Sequence, residues 1–158
     1  MARWGRTDFT QLKRLQKKME KLAQADFEKF CEQAAKELAA RLLAKVIKRT
    51  PVDDGVLRRG WTAKSQQEAE SAFSEATKVS DYFKEVEVNK FGNFYEIAII
   101  NPVNYASYVE FGHRTADHTG WVNGRFMLTI SENELDAQAS KILDKKLTKF
   151  LGGVFGGD

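Results

Sequence analysis

The sequence predicts an α+β domain, and three observations carry that expectation. A stretch from about Phe9 to Arg49 has no proline and no glycine and is dense in Ala, Leu, Lys, Glu and Gln. Between Phe83 and Ile100 apolar residues alternate on either side of a turn. From Arg125 to Phe150 a second apolar stripe recurs at helical spacing. The expected architecture is a long N-terminal helix, a small antiparallel sheet, a short helix, and a long C-terminal helix packed on the sheet.

At 158 residues, with 42% hydrophobic and 30% charged residues and only 2 prolines, the chain has the composition of one folded domain. Its expected subdivision is an arm over residues 1–8, the long helix over 9–49, an α+β core over 50–150 and a flexible tail over 151–158. The net charge of +3 hides an asymmetry. Residues 1–50 hold 13 Lys/Arg against 6 Asp/Glu, whereas residues 51–158 hold 12 against 16. The positive field is therefore concentrated at one end of the sequence. The lone cysteine, Cys31, excludes an intramolecular disulfide and every multi-cysteine metal site. No apolar run approaches the ~20 residues that span a bilayer, and the start Met1-Ala2-Arg3-Trp4-Gly5-Arg6 has no signal-peptide core. A soluble product made in the cytoplasm, with no membrane partner, is expected.

In the first helix, Leu12, Leu15, Met19 and Leu22 form one stripe, and Phe30, Ala34, Leu38, Leu42 and Val46 continue as an i+4 row. Asp26 interrupts the pattern, so the stripe either rotates around one helix or marks a break. Thr50-Pro51 ends the helix, because proline disfavours helical geometry at the residue before it. Asp53-Asp54-Gly55 reads as a turn and Val56 to Ser65 as a strand with Leu57, Trp61 and Ala63 on one face. Residues 66–80 are polar and weakly patterned. Phe83 to Val88 and Phe94 to Ile100 read as a hairpin around Asn89-Lys90-Phe91-Gly92-Asn93. Tyr105, Tyr108 and Val109 predict a short helix closed by Gly112, and His113 to Asn123 a loop. Trp61, Tyr105, Tyr108 and Phe126 are expected in one core. The tail from Leu151 has too many glycines for a helix to be expected there.

Catalytic constellations are missing from the sequence. His113 and His118 bracket Asp117 at a spacing that matches no metal-ligand pattern. Glu110 could orient His113 as a base, but there is no nucleophile elbow, phosphate loop, paired-carboxylate motif or His-Glu-x-x-His to accompany it. No enzyme activity, cofactor or metal is expected, and alanine at Glu110, His113 and His118 together is expected to leave virion assembly largely intact. The basic start (Arg3, Arg6, Lys13, Arg14, Lys17, Lys18, Lys21) suits non-specific phosphate contact or a solvated face equally well. Trp4 among arginines, and Val154-Phe155 between glycine pairs, are apolar groups in segments that cannot bury them locally.

Three motifs stand in order: Thr50-Pro51-Val52-Asp53-Asp54-Gly55-Val56-Leu57-Arg58-Arg59-Gly60-Trp61, Asn101-Pro102-Val103-Asn104-Tyr105-Ala106-Ser107-Tyr108-Val109-Glu110-Phe111-Gly112-His113-Arg114, and Gly120-Trp121-Val122-Asn123-Gly124-Arg125-Phe126-Met127-Leu128. Over roughly residues 45–130 the chain resembles the tail-completion, or head–tail joining, proteins of long-tailed double-stranded DNA bacteriophages. It departs at Asp54, where that family often has a small hydroxyl residue, and at Gly60, where a serine is common. The resemblance implies a structural virion protein at the neck end of the tail, forming a homo-oligomeric, hexameric ring. Its implied partners are a tail terminator or tail tube protein and head-completion or connector proteins. The competing expectation is a DNA-binding or DNA-processing phage factor that uses the basic N-terminal helix. The expected partner-binding residues are Arg3, Trp4, Arg6, His113, Arg114, His118, Trp121, Val154 and Phe155.

Overall fold

A computed structural model describes residues 10–61, 67 and 87–155. Helix α1 (Thr10–Arg49) runs unbroken for 40 residues, about 60 Å at ~1.5 Å per residue. Asp26 causes no break; it is exposed on the continuous helix. At the C-terminal end the Thr50 hydroxyl donates back to the Val46 carbonyl (2.7 Å), and Pro51 ends the helix as the sequence predicts.

The segment after the Asp53-Asp54-Gly55 turn is helical, not a strand: α2 spans Val56–Gly60. Leu57 and Trp61 are four residues apart, a spacing that puts them on one face in either structure, so their pattern could not discriminate. Local hydrogen bonding decides it. The Asp54 carboxylate accepts the Val56 N–H (2.9 Å), Gly55 supplies a left-handed φ of 80°, and Arg59 N–H closes a turn on the Gly55 carbonyl (3.1 Å). Residues 62–65 of the expected strand, the 66–80 segment and Phe83 to Val86 lie outside the described residues.

The first hairpin is present with a tighter turn than expected. Strand β1 (Asn89–Phe91) pairs antiparallel with β2 (Phe94–Glu96), leaving Gly92 and Asn93 as the two turn residues. Gly92 has φ 60°, and tight hairpin turns favour glycine in such a left-handed conformation. Helix α3 (Ala106–Phe111) ends at Gly112 as the sequence predicts. The stretch expected as a loop is a second hairpin, β3 (Gly112–Arg114) against β4 (Trp121–Asn123). Three-residue strands are too short to display a period. Asp117 organises the turn between them, accepting from the Thr119 N–H (3.2 Å) and the hydroxyls of Thr115 (2.5 Å) and Thr119 (2.6 Å).

Helix α4 (Met127–Phe155) begins two residues later than expected, because Phe126 takes a left-handed φ of 49°. It also continues through Gly152 and Gly153, correcting the expectation that the glycines end it. Two glycines cost about 2 kcal/mol relative to alanine, but extending an existing helix avoids the nucleation cost. Residues 156–158 lie outside the described residues.

The principal partner of α4 is α1 rather than the strands. The two run antiparallel: Glu134 meets Lys45 (2.9 Å) and Arg49 (2.7 Å), Lys146 pairs with Glu37, and Phe150 stacks on Phe30 with centroids 4.7 Å apart. At the Arg49 end of this pair, Ala39, Ala40, Leu43 and Val46 of α1 close over Leu57, Trp61, Val103 and Met127. Trp61 is in this core as expected. Tyr105, Tyr108 and Phe126 are not; they are 40%, 59% and 41% exposed. Met127 fills the place at the start of α4 that the pattern assigned to its neighbour.

Candidate functional site

The three sequence motifs are brought into one frame by hydrogen bonds. Within the first, Trp61 Nε1 donates to Thr50 Oγ1 (2.9 Å), and Arg58 donates to the Thr50 carbonyl (3.0 Å). The second docks on the first through Asn101, whose side-chain N–H donates to the Leu57 carbonyl (2.8 Å) while its oxygen accepts the Val103 N–H (3.1 Å). A Cβ at Gly60 would collide with that asparagine oxygen, so the missing side chain at 60 makes room for the joint.

The second and third motifs meet at Glu110. Its carboxylate is buried and accepts the backbone N–H groups of Leu128 and Thr129 (both 2.9 Å) and the Thr129 hydroxyl (2.8 Å). These are orphan donors of the first turn of α4, where a negative charge is also favoured by the helix dipole. The Glu110 carbonyl accepts Phe126 N–H and the Val109 carbonyl accepts Arg125 N–H, which ties the backbones together as well. Glu110 is thus the cap of α4. Alanine there strips a helix of its cap, a cost to stability that the motif alone did not signal.

Of the expected partner-binding residues, Arg3, Trp4 and Arg6 lie outside the described residues. His113, Arg114 and Trp121 come together on the β3–β4 hairpin, with Arg114 opposite Trp121 and His113 opposite Val122, and His118 sits in the intervening turn at φ 58°. All four are exposed. Val154 and Phe155 fall in the last turn of α4, about 40 Å along the helix from its start, so the structure separates them from the hairpin group. The His113 ring lies against Tyr108, with centroids 5.8 Å apart. Asp117, between the histidines, is held down to about 2 by the Thr115 and Thr119 hydrogen bonds of its turn. Among the described residues no three His, Cys, Asp or Glu side chains form a group that could hold a metal ion.

Sequence reasoning missed most of the aromatic surface beside the hairpin. Phe111 and Trp121 are 61% and 58% exposed, and they join Tyr108, Val122 and Phe126 around α3 and β4. Trp121 lies over Gly112, where its indole nitrogen occupies space a Cβ would need. The available signal was Phe111, three residues after Tyr108 and therefore beside it on one face of α3.

Electrostatics concentrate on the α1–α4 seam. Hydrogen bonding from Lys45, with the Arg49 guanidinium beside it, holds the Glu134 carboxyl below its ordinary range. At Glu37 burial pushes the carboxyl up, but Lys146 and Arg41 together outweigh it and the net displacement is downward. Among the described residues no helix is long and apolar enough to cross a membrane.

The motif residues are committed to packing and capping, beneath an exposed aromatic surface. A family model described as "Bacteriophage HK97-gp10, putative tail-component" matches residues 13–112, more than half of the chain, and the chain belongs to that family. It is a structural component of a phage tail and interacts with other virion proteins. The matched span takes in most of α1, which the motif resemblance did not need, and stops at Gly112, before the third motif. Comparison with curated proteins and with solved structures gave no match.

Proposed function

We propose that this chain completes the tail at its neck end, where a ring of identical subunits joins the tail to the head without catalysis. The observation that carries the reading is the aromatic surface of α3 and the β3–β4 hairpin. Large apolar side chains standing in water beside a hydrogen-bonded frame mark a surface that another protein covers. The polar groups that invited a catalytic interpretation have structural work instead: Glu110 caps α4 and Asp117 shapes a turn. On this reading the subunits assemble in the host cytoplasm and end in the virion. Tail terminator or tube protein lies on one side of the ring and head-completion or connector protein on the other. Arg3, Trp4 and Arg6, together with Val154 and Phe155, extend these contacts from the two chain ends.

The test is a phage lacking this gene. Its lysate should contain DNA-filled heads and full-length tails that remain apart, and supplying the purified chain should join them. Normal joined particles would refute the reading, and a lysate with heads but no tails would move the protein to tail-tube assembly.

A further inference from the structure

We infer that the subunits of the ring contact one another head to tail, the tip of the β1–β2 hairpin of one copy seating on the aromatic patch of α3, β3 and β4 of the next. This rests on the ring reading and names the surface that would build it. Phe91 and Phe94 form the cross-strand pair that flanks the Gly92-Asn93 turn, and they are 61% and 78% exposed. Two phenylalanines at the tip of a two-stranded hairpin have no interior of their own to enter. The hairpin is held against α1 at Glu28, whose carboxylate pairs with Lys90 (2.9 Å) and whose carbonyl accepts the Tyr95 hydroxyl (3.3 Å). The wedge is therefore presented by a braced element.

The receiving patch is at the other end of the body. Glu110 fixes α3 to the first turn of α4, and Arg49 fixes that region to the end of α1 through Ser131 (2.9 Å) and Glu134. From Glu28 to Arg49 is about 30 Å along α1, so the tip of a chain cannot reach its own patch. Two different apolar surfaces at opposite ends of one protomer make a heterologous contact, the kind that builds a ring when the rotation between copies closes.

Area and charge both favour a second copy as the occupant. With large aromatics burying 150–250 Å² each, tip and patch together expose about 700 Å² of apolar side chain. That matches the apolar share of the smallest stable interfaces, which bury about 1,200 Å² in all with about 60% of it apolar. Arg114 and Arg125 are exposed at the patch, and Glu96 is exposed beside Phe94 while Lys90 is already paired with Glu28, so an ion pair across the contact is available.

The experiment uses the full-length chain in native mass spectrometry and sedimentation. Phe91→Ser with Phe94→Ser disables the tip; Trp121→Ala, or Phe111→Ser in a separate variant that leaves Trp121 over Gly112, disables the patch. Wild type should form closed oligomers. Each variant should keep the wild-type circular dichroism and be monomeric, its self-association weakened by about 100-fold or more. Mixing a tip variant with a patch variant should give 1:1 dimers, because one intact tip then meets one intact patch and the chain of contacts cannot continue. Closed oligomers that persist in the tip variant and in both patch variants, or a mixture that stays monomeric, would overturn the inference alone. A wild-type chain that stays monomeric overturns the inference and the ring together, while joined particles without the gene overturn the neck assignment itself.

Discussion

Replacing Glu110 by alanine removes one carboxylate and leaves two backbone N–H groups and a hydroxyl at the start of α4 without their acceptor. Loss of an ordinary N-terminal cap costs about 1 kcal/mol, and hydrogen bonds to a charged group contribute about 1.5–3 kcal/mol each. Water reaches exposed Thr129 and replaces part of the loss, whereas Leu128 is half-buried and Glu110 itself is 5% exposed. The net cost is then about 2–4 kcal/mol. At roughly 2–4 °C per kcal/mol for a chain of this size, the melting temperature should fall by about 5–15 °C. Glu110→Gln keeps one oxygen for one N–H and should lose about half as much, and Thr129→Val, which removes only the hydroxyl, less again. Thermal scans followed by circular dichroism at 222 nm, with guanidinium midpoints as an independent check, would rank the three. An alanine variant that melts within 2 °C of wild type, or a glutamine variant that melts below it, would refute the capping role.

Thr50→Val should cost about 1–3 kcal/mol in guanidinium unfolding, because it leaves the buried Trp61 N–H without its acceptor, whereas Trp61→Ala should cost about 3–5 kcal/mol and yield mostly insoluble protein. Gly112→Ala should disrupt the β3–β4 hairpin, since the residue sits at φ 90° with the Val122 carbonyl where a Cβ would go; loss of slowed amide exchange across residues 112–123 would show it. Acid should weaken the α1–α4 seam. Glu37 and Glu134 have folded values below the ordinary 4.5, so their contribution is complete above that pH and is lost as pH falls through the folded values. Melting temperatures measured from pH 7 down to 3 should drop below about pH 4.5, and Glu37→Gln with Glu134→Gln should flatten that drop.

Helix α1 was legible because no proline or glycine falls between Thr10 and Arg49 and Thr50-Pro51 stops it, although Asp26 left its continuity open. Helix α3 was legible from its spacing and from Gly112. The α2 segment was misread because Leu57 and Trp61 satisfy two periods at once, and the Asp54 side chain that starts the helix is a local bond rather than a pattern. Short strands hid the β3–β4 hairpin, and glycine propensity alone misplaced the end of α4. Exposure was the least legible property. Tyr108 and Phe126 resemble core residues by type, and only the buried set of Ala39, Ala40, Leu43, Val46, Leu57, Trp61, Val103 and Met127 among the described residues shows a core that leaves them out. His113, Arg114 and Trp121 were found as a candidate group, but the Phe91–Phe94 tip was hidden by a turn placed too broadly.

Position in the particle decides the neck assignment. Gold-labelled antibody against this chain, bound to intact phage and viewed by electron microscopy, should mark a single site per particle at the junction of head and tail. Label distributed along the tube, or confined to the far tip of the tail, would contradict it.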